Sequence, residues 1–207
     1  MSSFKRGGMF ILSSPSGAGK TTLVKKISKN KNYNISISHT TRLPRQNEKN
    51  GKDYFFVSKN YFKKLIKKNE FLEHAKVFDN FYGSSKKIVI EKLKLGKNII
   101  FDIDWQGTRQ IRNKKLKFKL LTIFILPPSK KELLNRLIKR EKKNIKTVKK
   151  RMKYFKKDLS RWKDYDYVVI NDDLKICYNK IMKVIKNKKK PIFNRTFIDK
   201  HVKSLMR

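Results

Sequence analysis

The chain is 207 residues long and 38% apolar, enough to fill one ordinary core. No apolar run approaches the roughly 20 residues that cross a bilayer, and Met9–Leu12 is too short for a secretory signal, so a cytoplasmic protein with no membrane partner is expected. Lys and Arg number 55 against 16 Asp and Glu, a net charge of +39, which should draw in phosphate-bearing ligands.

Gly8–Ser13 reads as a short apolar strand, buried on both faces if central. A loop follows, then an amphipathic helix from about Lys20 to Lys29. Asn98–Asp104 is a second buried strand, with carboxylates at its C-terminal end. Leu120–Leu126 is a third, closed by Pro127 and Pro128, and Tyr167–Asn171 is a fourth. Helices fill the intervals at 106–113, 130–141, 147–164 and 174–187. This alternation predicts an α/β fold, a parallel sheet flanked by helices, with ligands beyond the carboxyl ends of the strands. Cys177, the one cysteine, lies among Ile176, Ile181, Val184 and Ile185 and is expected to be a buried thiol.

Two stretches depart from the alternation. Residues 36–95 carry short segments rich in Thr, Tyr, Phe and Gly, such as Asp53–Val57 and Phe81–Gly83, and suggest an inserted subdomain with its own small sheet. Residues 129–164 form an Arg- and Lys-rich helical pair. The expected organisation is one domain with a core at about 8–35, 96–128 and 165–187, plus these two insertions. The basic tail 188–207 is either a docked helix carrying Phe193, Phe197, Ile198, Val202 and Leu205, or a loose end.

Ser14-Pro15-Ser16-Gly17-Ala18-Gly19-Lys20-Thr21 stands between the first strand and the first helix, with Thr22 following. It is the phosphate-loop pattern G-x-x-x-x-G-K-[ST] with Ser14 in place of the opening glycine. Gly17 and Gly19 let the backbone N–H groups turn toward a phosphate, and the helix N-terminus adds its positive dipole end. Lys20 would reach the β- and γ-phosphates and the Thr21 hydroxyl would hold Mg²⁺. The loop therefore predicts a bound triphosphate with Mg²⁺.

Ser36-Ile37-Ser38-His39-Thr40-Thr41-Arg42-Leu43-Pro44-Arg45 sets two arginines three apart behind hydroxyls, a pattern able to clamp a phosphate through forked hydrogen bonds. Farther along come Asn50-Gly51-Lys52-Asp53-Tyr54, Phe71-Leu72-Glu73-His74-Ala75, Tyr82-Gly83-Ser84-Ser85, Asp102-Ile103-Asp104-Trp105-Gln106-Gly107 and Val169-Ile170-Asn171-Asp172-Asp173. In this order, from about Gly8 to Asn187, the motifs resemble those of the guanylate kinase family. The resemblance implies a P-loop NTPase-type sheet with an inserted GMP-binding subdomain at 36–95 and a helical lid at 129–164. It implies ATP and GMP, and dGMP with it, as substrates giving ADP and GDP.

The site residues follow from the same resemblance. Arg42, Arg45, Tyr54 and Tyr82 would hold the GMP phosphate, Ser38, Glu73, Ser84 and Asp104 would read guanine, and Gly83 would belong to the same GMP site. Asp102 would join Thr21 at the magnesium. Arg136, Arg140 and Arg151 would belong to the lid and offset charge on the transferring phosphoryl, together with Lys20 and Arg45. Asn171 would touch the adenine side. Arg140 is followed by Glu141 where the family usually has glycine, which bears on lid geometry. On the residues alone, Glu73 also reads as a surface charge and Ser84 as the cap of a helix beginning at Lys86.

Two other classes stand beside this reading. A guanylate-kinase-like binding module without catalysis would usually have a damaged phosphate loop, and Gly17, Gly19, Lys20 and Thr21 are all present. A nucleic-acid-binding protein is prompted by the charge. The excess, however, is mostly lysine scattered along the chain beside much Asn, Ile, Phe and Tyr, the composition an AT-rich genome produces. Weak, salt-sensitive binding to polyanions is expected, with no specific nucleic acid. A homo-oligomer is left open. His39, His74 and His201 have no metal-ligand spacing.

Overall fold

Six consecutive buried residues form β1 (Gly8–Ser13), its apolar run Met9–Leu12 being that of a strand covered on both faces. The computed structural model describes residues 7–141, 144–186 and 194–207. Five strands make one sheet in the order β2 (Tyr33–Ile35), β7 (Asn98–Asp102), β1, β8 (Lys119–Leu126), β9 (Tyr167–Ile170). β2 pairs with β7 and β8 with β9, both in parallel. Four of the five were expected. β2 has three residues with Asn34 at its centre and lies at the sheet edge, too short to leave an apolar pattern.

The chain divides into two compact units. One runs to Ile11 and resumes over Asn30–Leu120; the other is Leu12–Lys29 with Leu121–Arg207.

In the first unit, α3 (Lys86–Lys94) and α4 (Trp105–Asn113) bury Val89, Leu93 and Ile111 with Met9, Ile11, Leu72, Ile99, Phe101 and Ile103. The expected small sheet is present, in the order β4 (Phe55–Phe56), β3 (Ser38–Thr40), β6 (Asn80–Ser85), β5 (Phe71–Val77). Of the two helices in this stretch, α2 (Lys59–Lys67) was not anticipated, whereas α3 begins at Lys86 as the cap reading of Ser84 supposed. Both are capped by a serine, Ser58 accepting from Tyr61 N and Ser85 from Ile88 N. Phe62 of α2 is fully buried and stacks on Phe71 (4.5 Å between centroids) and Phe81 (5.5 Å).

His39 points into this aromatic cluster, 4.8 Å from Phe55 and 5.5 Å from Phe71 between centroids, and its Nδ1 is buried without a hydrogen-bond partner. Burial lowers its pKa below 6.5; burial, then the charge of Lys114, lowers that of His74. The unfolded chain therefore takes up protons near pH 6.5 that the folded chain does not, so stability is lost as pH falls below that value. Urea midpoints should be flat above about pH 7 and decline toward pH 5, less steeply in His39→Phe. An equal slope in the variant would remove His39 as a source.

The second unit holds α1 (Lys20–Ser28), α5 (Lys130–Arg140), α6 (Ile145–Leu159), α7 (Leu174–Lys186) and α8 (Arg195–Met206). The single helix expected over 147–164 is α6 followed by a separate 3-10 turn, Ser160–Asp164. Asp166 ties the turn to β8 by accepting from Thr122 N and Oγ1, both 2.9 Å. Cys177 is buried, and burial pushes its thiol up to about 12. The tail forms α8, with Ile198, Val202 and Leu205 buried and His201 Nε2 2.9 Å from the Pro127 carbonyl. Phe197, expected on the docked face, is 57% exposed, and Phe193 lies outside the described residues. No helix among the described residues is long and apolar enough to cross a membrane.

Candidate active site

The phosphate loop and the predicted lid lie in the second unit. Gly17 and Gly19 take φ 94° and 92°, the left-handed backbone that only glycine adopts without strain. Ser14 is absent from the positive-φ positions, so serine replaces the usual glycine there at no conformational cost, and its hydroxyl donates to Pro15 O at 2.8 Å. α1 begins at Gly19 without a side-chain cap, the arrangement in which a bound phosphate caps the helix.

Asn171, expected at adenine, braces the loop. It is buried, and its Nδ2 donates to Ala18 O at 2.7 Å. A Cβ on Gly19 would run into that amide. Gly19→Ala is therefore expected to weaken binding of an ATP analogue by roughly tenfold or more, the left-handed cost alone being about 1–2 kcal/mol. Unchanged affinity in a titration would mean that the loop does not hold the phosphates in this conformation.

The three arginines predicted for the lid separate into two groups. Arg140 Nη2 and Arg151 Nη1 both donate to Ser16 Oγ, at 3.1 and 2.9 Å, so two guanidiniums converge on the phosphate loop. Arg136 is engaged elsewhere, donating to Glu132 Oε1 (2.8 Å) and to Asn171 O (3.3 Å). Arg140 and Arg151 also meet Glu141, which the sequence marked only as a departure bearing on lid geometry. Its Oε1 accepts from Arg140 Nε at 2.9 Å and lies 3.1 Å from Arg151 Nε as an ion pair.

The second set of residues belongs to the small sheet of the first unit. Its register aligns Ser38 with Ser84 and Ser84 with Glu73, and in the next same-face row Thr40 with Tyr82 and Tyr82 with Ala75. Three of the predicted guanine-reading side chains are thus neighbours across three strands. Glu73 is 3% exposed and accepts from Ser84 Oγ at 2.7 Å. The surface-charge alternative for Glu73 fails on that burial. The cap alternative for Ser84 fails as well, because Ser85 is the cap. The single hydroxyl proton of Ser84 goes to Glu73, so in this state it orients the carboxylate rather than standing ready for a guanine carbonyl.

Gly83 lies in the alternate row, between His39 and His74, and a Cβ on it would crowd Phe62 and Phe71. It serves packing on the face away from Glu73. Asp104 caps α4, its Oδ1 accepting from Gln106 N (3.0 Å) and Gly107 N (3.1 Å) and its Oδ2 from Gln106 Nε2 (2.9 Å). The expected strand therefore stops at Asp102. Gln110, also unanticipated, pairs with His74 like a further strand, donating from Nε2 to O (2.6 Å) and accepting from N at Oε1 (3.1 Å). Gln110 thereby covers the free edge of β5 beside Glu73.

The arginine pair is organised by a second carboxylate, which sequence reasoning missed. Arg42 Nη2 donates to both oxygens of Glu48, at 2.9 and 2.8 Å, and Arg45 contributes its backbone N–H (2.8 Å) and Nη1 (3.3 Å). The spacing Arg42, Arg45, Glu48, each three apart in one loop, was the available signal. Burial alone would raise the Glu48 carboxyl, but the Arg45 N–H and the Arg42 guanidinium hold it below the usual range. Thr40 and Thr41 fix the start of this loop. Thr40 Oγ1 donates to Phe81 O (3.0 Å) and accepts from Arg42 N (3.2 Å), and Thr41 Oγ1 accepts from Phe81 N (2.9 Å). The Arg42 guanidinium carbon lies 5.4 Å from the Tyr54 ring centroid, and the Tyr54 and Tyr82 rings meet edge-on at 6.0 Å. Burial, then the charge of Asp102, raises the Tyr54 phenol far above its ordinary value, so it stays a hydrogen-bond donor.

A strand–loop–helix phosphate cradle bearing two arginines, and a separate sheet bearing an arginine clamp and a buried carboxylate, together define a P-loop kinase of nucleoside monophosphates. The guanylate kinase family model matches residues 6–188. A guanylate kinase of Novosphingobium aromaticivorans is 43% identical over 98% of this chain and 92% of its own. One from Buchnera aphidicola is 45% identical over 87% of this chain and 88% of its own. The crystal structure of guanylate kinase from Anaplasma phagocytophilum superposes with a TM-score of 0.73 at 30% identity, covering 98% of this chain and 96% of that one. The chain belongs to the guanylate kinase family.

Proposed function

We propose that this enzyme transfers the γ-phosphate of ATP to GMP, and to dGMP, giving ADP and GDP, with ATP held by the second unit and GMP by the first. The observation that carries the acceptor is Glu73, a carboxylate kept at 3% exposure and oriented by Ser84. A charge is buried at such cost that it needs partners matched to it. Guanine offers a ring N–H and an exocyclic amine side by side, and one carboxylate accepts both. Adenine presents a bare ring nitrogen there, leaving Glu73 facing a lone pair.

No covalent enzyme intermediate is required, because a GMP phosphate oxygen is the nucleophile. Arg42, Arg45, Tyr54 and Tyr82 would fix that phosphate, and Glu48 keeps the two guanidiniums together beforehand. Lys20, Arg140 and Arg151 would neutralise the transferring phosphoryl as it moves in line between the two oxygens. Among the described residues no three His, Cys, Asp or Glu side chains form a metal cluster. Mg²⁺ bound through nucleotide phosphates needs only one or two protein oxygens, and the hydroxyl of Thr21 and the carboxylate of Asp102 are of the right kind. When bound with ATP, the ion offsets phosphate charge and polarises the phosphoryl group.

The test is ADP release with ATP and Mg²⁺, comparing GMP against AMP, CMP and UMP. Release that depends on GMP alone is expected. Release with none of the four, despite ATP binding, would overturn the assignment.

A further inference from the structure

Glu141 is the C-terminal cap residue of α5. A carboxylate there faces the negative end of the helix dipole, so helix stability does not account for it. What it touches does. One oxygen, Oε1, meets Arg140 Nε at 2.9 Å and Arg151 Nε at 3.1 Å, and the Glu141 and Arg151 side chains are each only 13% exposed. The terminal nitrogens of the same two arginines are those that meet Ser16 Oγ in the phosphate loop.

We propose that Glu141 is a positioning residue that assembles Arg140 and Arg151 on the phosphate loop before ATP arrives. Two guanidiniums directed at one hydroxyl oxygen repel each other, and in the absence of phosphate nothing about a serine offsets that repulsion. The shared carboxylate does. It meets each arginine at Nε, while Nη2 of Arg140 and Nη1 of Arg151 stay on Ser16 Oγ in the loop. Arg140 and Arg151 are then pre-organised rather than recruited from solvent, and ATP binding loses less conformational entropy in fixing them.

This inference rests on reading the loop as the ATP site, and a double-mutant cycle on binding of a non-hydrolysable ATP analogue tests it separately. Glu141→Ala should raise the analogue's Kd by about fivefold, within the range found for coupled neighbours, with Glu141→Gln in between. In an Arg140→Ala/Arg151→Ala background the same substitution should change Kd by less than about twofold. An equal effect in both backgrounds, or unchanged or tighter binding in Glu141→Ala alone, would overturn the proposal. Unfolding midpoints of the variants should match the parent, because the role is in orientation; a drop that tracks the change in Kd would also overturn it. Failure of GMP-dependent turnover in the parent protein would count against the kinase reading, while the cycle would still report on Glu141.

Discussion

Replacing Glu73 with Ala should lower kcat/KM for GMP by roughly two to three orders of magnitude, most of it as a raised KM. Truncating one partner of a buried, hydrogen-bonded charge contact costs about 2–5 kcal/mol, and 1.4 kcal/mol is tenfold. The effect is large because Glu73 is almost fully buried and oriented by Ser84, so no water can replace it without rebuilding the pocket floor. A Cβ on Gly107 would collide with Glu73 Oε2, which means that the backbone of α4 also confines the carboxylate. The KM for ATP should be unaffected, since the loop and lid residues belong to the other unit. Steady-state kinetics with each substrate varied in turn would check this. An unchanged KM for GMP would remove Glu73 from guanine recognition.

Lys20→Ala should reduce kcat by about a hundredfold to a thousandfold, the loss expected when one pre-organised donor to a transferring phosphoryl is removed. Lys20 is the first residue of α1, beyond the left-handed Gly19 that turns the loop. Its side chain contributes nothing to the helix core, which rests on Leu23, Val24 and Ile27. The unfolding midpoint should therefore stay where it is while turnover collapses. Single-turnover ADP formation at saturating ATP separates the chemical step from binding. Retention of more than about half the parental rate would mean that the charge on the γ-phosphate is neutralised by other groups.

Each of the two units sets a glutamate between two arginines. Glu48 holds Arg42 and Arg45, and Glu141 holds Arg140 and Arg151. Each pair of like charges would separate if left alone. A protein that must gather positive charge around phosphates needs carboxylates placed to keep it gathered while the phosphates are absent.

The sequence by itself determined the α/β alternation, because strands buried on both faces leave unbroken apolar runs such as Met9–Leu12 and Ile123–Leu126. It determined the phosphate loop, because backbone that must take φ near 90° demands glycine at Gly17 and Gly19. A serine cap for α3 was legible in kind, but Ser85 rather than Ser84 takes it. That choice depends on strand register, and register is a tertiary property: a shift of one residue exchanges the faces of β6, moving Ser84 and Tyr82 away from Glu73 and putting Gly83 in their place. Tertiary structure alone also decided the duties of Asn171, Asp104 and Gln110. An amide or carboxylate near a ligand site serves whichever unsatisfied backbone group comes within reach, and these three found Ala18 O, the N-terminus of α4 and the edge of β5.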